Sequence, residues 1–585
     1  MSGKLYSDRG PGEAGHLTTA LPDAVKLLRT SPLILFAVMA AACSSLVGET
    51  PTNPAPSSAD TADTTTPIAR DCVAGVAEGS VAVDSGDAAG DALFLSGELF
   101  LCSDDVVVVG EVDLTEVAVG AQLAAAVEGP LLYPHPRLAA EIGRLKPVRV
   151  HLIGSVDVIS PPDATVLHHG IGDAVDYTKT VLGVTEEMSL PAQPDASTIV
   201  KTVAAIRSRD HVVIPGTSSA PTEPGIPVLN TDEVVRGLAV PTTANSIWIV
   251  DAADPITILL AAATGRSVGA TAIAIDAEDV LGYPEVGEAI AGHSADAIRF
   301  VGGAPAADPW QLTVLSNGRQ VPGGGFYILP KDNPRRYLAF YGHPGIASLG
   351  VLGEQGPEAT LERMKPFLDD YAGDGSHVVS TFEIIATVAS AGDGDDGNYS
   401  TEWPASKFDD WIRAARENDA YVVLDLQPGR SDFLTQAKRY EDLLLFPFVG
   451  LALDPEWRLK PDQVHLRQIG SVDAAEINEV VHWLADLVRD NGLPQKMLML
   501  HQFSDFMIRN RETLEERPEI QMIIQIDGNG TEPQKNRTYF NLTKEAADAH
   551  WSWGWKNFFD EDEPGPPSPE STMSKEPTPV YVSYQ

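Results

Sequence analysis

Phe448-Val449-Gly450-Leu451-Ala452-Leu453-Asp454-Pro455-Glu456-Trp457 runs from an apolar segment straight into two carboxylates. A strand buried on both faces reads as an unbroken apolar run, and in a parallel barrel polar side chains collect where such strands end. Working outward, the same grammar recurs at 337–343, 377–383, 421–427, 497–502 and 522–527, each run closing on a polar or charged residue. Segments 551–555 and 580–584 bring the number of strands to eight. Helical patterns intervene at 361–372, 405–417, 430–443 and 474–491. Eight strand–helix units in about 250 residues is the size of a (β/α)8, TIM-type barrel, here expected over 335–585.

On an extended chain, residues i and i+2 share a side, so Asp454 and Glu456 both aim at the barrel mouth. Two like charges held together raise one pKa, which leaves a carboxyl able to donate a proton near neutral pH. That is the equipment of general acid catalysis on a glycosidic bond. The rival readings are a solvated turn or a salt bridge from this pair to Arg458. Asp425 and Gln427, His501 and Gln502, and Asp527 and Asn529 follow other strands as candidate substrate contacts. A second inward carboxylate for Glu456 is expected among Asp527, Asp425 and Glu383. Trp551, Trp553 and Trp555 alternate on one face; Trp553 and Trp555 are candidate platforms for a sugar ring, with barrel core as the other possibility.

The 448–457 segment resembles the fourth-strand motif FDGIDIDWEY of family 18 chitinases. Phe448, Gly450, Asp454 and Glu456 match it, Trp457 replaces the final Tyr, and Val449 and Ala452 stand in place of the first two aspartates. The resemblance implies that Glu456 is the acid and Asp454 the partner that orients or charge-tunes it. The Asp-x-Glu ending is equally similar to that of family 25 lysozymes, which act on peptidoglycan.

Upstream, Ala-rich helical stretches alternate with β-branched runs at 106–109, 148–153 and 247–250, the pattern of parallel α/β layers. A weak internal repeat is legible. Helix 117–127, strand 130–133, helix 138–145 and the strand ending Ile153-Gly154-Ser155 correspond to helix 255–264, strand 271–275, helix 286–291 and the strand ending Val301-Gly302-Gly303. This grammar resembles the type 2 cell-wall-binding repeat of Gram-positive bacteria, and implies wall attachment through 73–312. A generic doubly wound domain is the alternative.

At the N-terminus, Lys26 and Arg29 precede the short apolar run 32–42, which ends at Cys43. Small residues directly before a cysteine resemble the lipobox of bacterial lipoproteins, implying that Cys43 is lipidated and becomes the first mature residue. An ordinary secretory signal is the alternative. The polar stretch before Lys26 suggests a true start at Val25. Residues 1–43 are thus read as leader and 44–72, rich in Ser, Thr, Pro and Asp, as a flexible tether. In an oxidising exterior Cys72 and Cys102 are the remaining thiols, either disulfide-bonded or buried free.

The 585 residues carry 82 acidic and 41 basic side chains, a net charge of −41. Phosphate backbones need a cationic face, so nucleic acid is excluded as a partner. No GxSxG elbow, dinucleotide fingerprint or zinc spacing is present, so no cofactor or metal is expected. Asp393 to Asn398 is out of register with a calcium loop and reads as a solvated turn. The Pro-rich run 565–579 reads as a mobile insert. The expected function is an envelope-facing lipoprotein, anchored at the membrane by lipid alone, that hydrolyses a cell-wall or amino-sugar polysaccharide. A non-catalytic polysaccharide binder on a degenerate barrel is the alternative.

Overall fold

The computed structural model describes Cys72, Ala82–Val83 and residues 85–585, apart from 111–112, 157–161, 190–195, 215–245, 276–280, 283–286, 288–290, 292–297, 303–307, 332–334, 374 and 545–548. Val25, Cys43, the tether up to 71 and most of the helix expected at 286–291 lie outside the described residues.

Eight parallel strands close on themselves in the C-terminal half: β1 (Arg335–Gly342), β2 (His377–Ala389), β3 (Tyr421–Leu426), β4 (Val449–Leu453), β5 (Lys496–Gln502), β6 (Ile520–Ile526), β7 (Ser552–Asn557) and β8 (Tyr581–Tyr584). Each pairs with its sequence neighbours, and β1 closes the ring by pairing with both β2 and β8. All eight correspond to the runs read from the sequence. A short strand, Ser400–Glu402, adds antiparallel to the end of β2. Helices Pro357–Tyr371, Asp409–Glu417, Ala474–Asp490 and Glu532–Thr543 lie between strands. The run expected to be a mobile insert contains a helix, Pro569–Met573, capped by the Ser568 side chain. Proline at the first helical position lacks only an N–H that would go unpaired anyway, so it starts this helix rather than preventing it.

Period-two alternation sends Tyr337, Tyr341, Tyr421, Asp425, Gly450, Asp454, His501, Gln525, Gly554, Lys556 and Tyr581 inward. Near the strand N-termini the interior is filled by tyrosines: the ring of Tyr337 lies 5.5 Å from that of Tyr421 and 6.5 Å from that of Tyr581. Above them the filling turns polar, and Gln525 Nε2 donates to Ser583 Oγ at 2.7 Å. Gly554 sits between these two strands, where an added Cβ would come within 2.0 Å of the Gln525 amide oxygen.

The floor of the barrel is closed by the chain that precedes it. Helix Pro309–Asn317 and residues 320–329 run beneath the strand N-termini, where Tyr337 donates from its hydroxyl to the Ile328 carbonyl and Gln495 N–H to that of Phe326. Trp310 donates from its indole to the Leu493 carbonyl at 2.9 Å. Arg489 bridges Asp308 and the buried Glu519, with 2.7 Å contacts to each. Ile247, Ile249 and Phe300 of the N-terminal region belong to the same apolar cluster as the barrel.

Among the described residues that region holds two four-stranded parallel sheets and a two-stranded one, Glu187–Ser189 with Val212–Ile214. One four-stranded sheet runs 131–132, 105–109, 149–153, 165–169; the other runs 270–275, 246–251, 298–301, 82–83. In each, the strand just before the sequence repeat, 105–109 or 246–251, lies between the two strands of the repeat, so these three strands share one order. Helices Leu114–Val127 and Pro255–Ser267 are buried along nearly their whole length, which is why they read as Ala-rich rather than amphipathic. Asp113 and Asp254 cap them by accepting backbone N–H groups. Cys72 and Cys102 are joined in a disulfide, with Cα atoms 4.7 Å apart. Among the described residues no helix is long and apolar enough to cross a membrane.

Gly554→Ala is expected to cost about 1–3 kcal/mol by overpacking against Gln525. Denaturant unfolding of the variant beside Gly554→Ala/Gln525→Ala, which makes room for the new methyl, measures it; the double variant should recover part of the loss.

Candidate functional site

At the C-terminal ends of the strands the barrel opens into a cavity of about 440 Å3. Asp454, Glu456, Asp527, Gln427, Tyr341 and Lys556 line it together with Trp457 and Phe503. Asp454 ends β4 in an extended conformation and caps the turn Pro455–Trp457, accepting the Glu456 N–H at 3.1 Å. The turn swings Glu456 half-buried onto the cavity wall. Arg458, the alternative partner for this pair, instead forms a salt bridge with Glu476, at 2.8 Å from Nε to Oε1.

Beneath the cavity lies His501, fully buried on β5. Its Nδ1 is hydrogen-bonded to Asp527 Oδ2 at 3.0 Å. Its Nε2 lies 2.9 Å from Glu383 Oε1 and 3.8 Å from Asp425 Oδ1, both fully buried. Tyr341 donates from its hydroxyl to Asp425 Oδ2 at 2.9 Å, and Tyr581 donates to Glu383 Oε2 at 3.1 Å. The Lys556 ammonium lies 3.4 Å from the centre of the Tyr341 ring, a desolvated cation–π contact.

Five carboxyl groups therefore share this space with two cationic side chains. Burial pushes the Glu456 carboxyl up to about 7, with the negative charge of Asp527 adding to the rise and Lys556 and His501 opposing it. Asp425 is pushed up to about 6, first by burial and then by Glu383, against the pull of His501. Asp454 is held well above the usual carboxylate range by burial, with Asp425, Glu456 and Asp527 adding to the effect and His501 opposing it. Burial alone would push His501 down, but its contacts with Asp527 and Glu383 and the charge of Asp425 outweigh burial and raise it well above the ordinary imidazole value. Glu456 combines a proton near neutrality with access to the cavity, which is what a general acid requires.

Of the residues singled out in the sequence, Asp454, Glu456, Asp527, Gln427 and Asn529 line the cavity, while Asp425 and His501 lie just below it. Gln427 is fixed there, its Oε1 accepting the Ala389 N–H at 2.9 Å. Gln502 is occupied elsewhere, accepting from Arg511 at 2.8 Å. The tryptophan reading needs correcting. Trp553 and Trp555 are 5% and 1% exposed and do not line the cavity. They occupy the outward face of β7, where Arg511 lies over Trp553 and Tyr539 of helix Glu532–Thr543 meets Trp555 at 5.5 Å. The alternation that groups them on one face puts Gly554 and Lys556 on the other, so Lys556 is the inward residue. Trp457 and Phe503 supply the aromatic surface at the cavity instead. Tyr341 and Lys556 went unnoticed in the sequence; alternation from neighbouring outward residues is the signal that finds both. Asp396 accepts hydrogen bonds from Asn398 in an exposed turn, and among the described residues no cluster fit to hold a metal ion occurs.

No protein-family model and no curated protein matches the sequence. Among solved structures the chain is similar to Cwp6 from Clostridium difficile, with 12% identity and a TM-score of 0.33 over 60% of this chain and 63% of that one. It is also similar to Cwp8 from Clostridium difficile, with 12% identity and a TM-score of 0.31 over 38% of this chain and 49% of that one. The chain thus spans less than two thirds of either protein, and likeness at these scores carries no argument about fold or function.

The raised Glu456 value has a sign that stability can test. A carboxyl that binds its proton more tightly when folded stabilises the native state less as pH rises, from the unfolded value up to the folded one. Glu456→Gln, which stays neutral, should therefore gain stability relative to the wild type as pH rises from about 4.5 to about 7, and no further above it. Thermal unfolding of both proteins across that range checks this; a constant difference would contradict the raised value.

Proposed function

We propose that this protein is a lipid-anchored glycoside hydrolase of the cell envelope, with a TIM-type catalytic barrel acting on a wall or amino-sugar polysaccharide. The observation that carries this reading is Glu456, a carboxyl with its pKa pushed up to about 7 on the wall of a cavity that also exposes Asp454 and Asp527. A protonated Glu456 gives its proton to the glycosidic oxygen as the bond from that oxygen to the anomeric carbon breaks. Asp527, which lines the same cavity, either bonds to that carbon or takes the proton of the water that adds to it. Asp454 holds the turn that carries Glu456, and the charge of Asp527 favours the protonated form of Glu456. Trp457 and Phe503 offer apolar faces to the sugar ring.

The envelope address rests on the sequence: the run 32–42 before Cys43, the tether, and the repeat-like segment 73–312. The order shared by three strands of each four-stranded N-terminal sheet supports an internal duplication and hence the wall-binding reading. On this reading the organisation is leader 1–43, tether 44–72, wall-binding region 73–312 and catalytic barrel 335–585, with a glycan as partner. The second reading, a binder on a degenerate barrel, is favoured by Val449 and Ala452 at the positions of the motif's outer aspartates.

Purified protein is expected to release reducing ends from cell-wall glycan, with Glu456→Gln slower by about 10²–10⁴-fold, the usual contribution of a positioned acid. Because the acid must hold its proton, kcat/KM should fall as pH rises through about 7. Equal release by the wild type and the variant would falsify the catalytic role, and glycan retention without release by either would establish the binder. Lipid attachment has its own test. Cells fed a clickable fatty acid should label the wild type and not Cys43→Ser; labelling of both removes the anchor.

A further inference from the structure

His501 is fully buried and does not line the cavity, yet it touches three of the site's five carboxylates. Both ring nitrogens face carboxylate oxygens: Nδ1 at 3.0 Å from Asp527, and Nε2 at 2.9 Å from Glu383 and 3.8 Å from Asp425. A neutral imidazole has one N–H, so one nitrogen would turn a lone pair toward a carboxylate; the imidazolium donates from both. The elements around the ring make the charge balance explicit. Tyr341 comes from β1, Glu383 from β2, Asp425 from β3, Asp454 and Glu456 from the end of β4, Asp527 after β6, Lys556 from β7 and Tyr581 from β8. Apart from the ring itself, Lys556 is the single cation in this set, against five acidic groups. An unpaired buried carboxylate costs several kcal/mol, so a second cation at the centre of the cluster is what allows the acids to lie this close.

The contact with Asp527 is the useful one. It is the ring's one hydrogen bond, made to Oδ2 of a residue that lines the cavity; Oδ1 of Asp527 and Nε2 of the ring are buried without hydrogen-bond partners in the protein. The ring thus fixes the orientation of this carboxylate at the cavity wall.

We propose that His501 is a positioning residue of this site, an imidazolium that pins Asp527 through Oδ2 at the cavity and offsets the charge of Glu383 and Asp425 behind it. The inference rests on the glycoside-cleaving reading. It assigns the two cavity carboxyls their separate roles: Asp527, bonded to a cation, acts as the carboxylate, and Glu456, farther from that cation, acts as the acid. His501 never touches the sugar and transfers no proton.

The test starts with the wild-type protein labelled with 15N at histidine. From pH 5.5 to 8.5 both ring nitrogens of His501, assigned as the resonance missing in His501→Gln, should carry protons. A neutral tautomer at pH 7 overturns the inference. So does movement of that resonance on adding zinc or EDTA, since the ring would then be a metal ligand. The kinetic arm uses His501→Gln, which keeps volume and a donor but has no charge. Its kcat should fall about 10–100-fold with KM within about twofold, and its alkaline limb should move up by about half a pH unit or more, because removing a cation favours protonated Glu456. A loss of kcat with the limb unmoved reduces His501 to a structural role and overturns the positioning claim. Absence of hydrolysis by the wild type on every glycan overturns both readings together, whereas a neutral ring in an active enzyme overturns this one alone.

Discussion

Five carboxyl groups held in one buried space by two cations is the constraint around which the barrel is organised. Asp425, Asp454 and Asp527 come from strand ends, Glu383 from the middle of β2 and Glu456 from a turn, and none is paired with a solvent-exposed cation. Since a buried charge without a partner is costly, the cluster has two ways to relax. It can bind protons, which is why Glu456 and Asp425 are pushed toward neutrality. It can also recruit cations, and His501 and Lys556 are the ones available. Tyr341 and Tyr581 add hydroxyl donors to the two deepest acids, satisfying oxygens that no amide reaches. A site so built cannot lose one member without shifting the charge of the rest.

Much of the barrel was legible because its strands are buried on both faces. Such strands appear as apolar runs, and their polar termini stand out against them, as at 448–457. The helix between β3 and β4 was harder: the run 430–443 breaks into short turns, Phe433–Ala437 and Glu441–Leu444, joined through a 3-10 segment. The tryptophans show a different kind of failure. Alternation states which residues share a face but not which face is inside, so Trp553 and Trp555 were grouped correctly and offered as sugar platforms, whereas the alternative of buried core is the one that their burial fits. Their bulk settles the matter physically: the interior at that level already holds Tyr341, Gln525 and Lys556, while the gap to helix Glu532–Thr543 takes an indole. Glu383 and Asp425 could be suspected from the polar endings of the runs read at 377–383 and 421–427, but their common contact with His501 depends on registers between strands far apart in sequence.

The acidity of the chain has a structural use as well as a surface one. Asp87, Asp113, Asp254, Asp308, Asp432, Asp454 and Asp473 each cap a helix or turn by accepting backbone N–H groups. A carboxylate there pairs with orphan donors and with the positive end of the helix dipole, so these charges stabilise rather than repel. Asp454 is the case where the same capping interaction also delivers a functional side chain.

The floor of the barrel carries one more consequence. Helix Pro309–Asn317 and the chain after it seal the strand N-termini, and Arg489 ties Asp308 to the buried Glu519 across that seam. Cutting the chain near 331 would remove Ile328 from beneath Tyr337 and leave Arg489 without Asp308. The barrel is therefore not a cassette that can be lifted out or grafted elsewhere. Its boundary in space lies upstream of its first strand, and the preceding segment is as much a part of the barrel's body as of its neighbour.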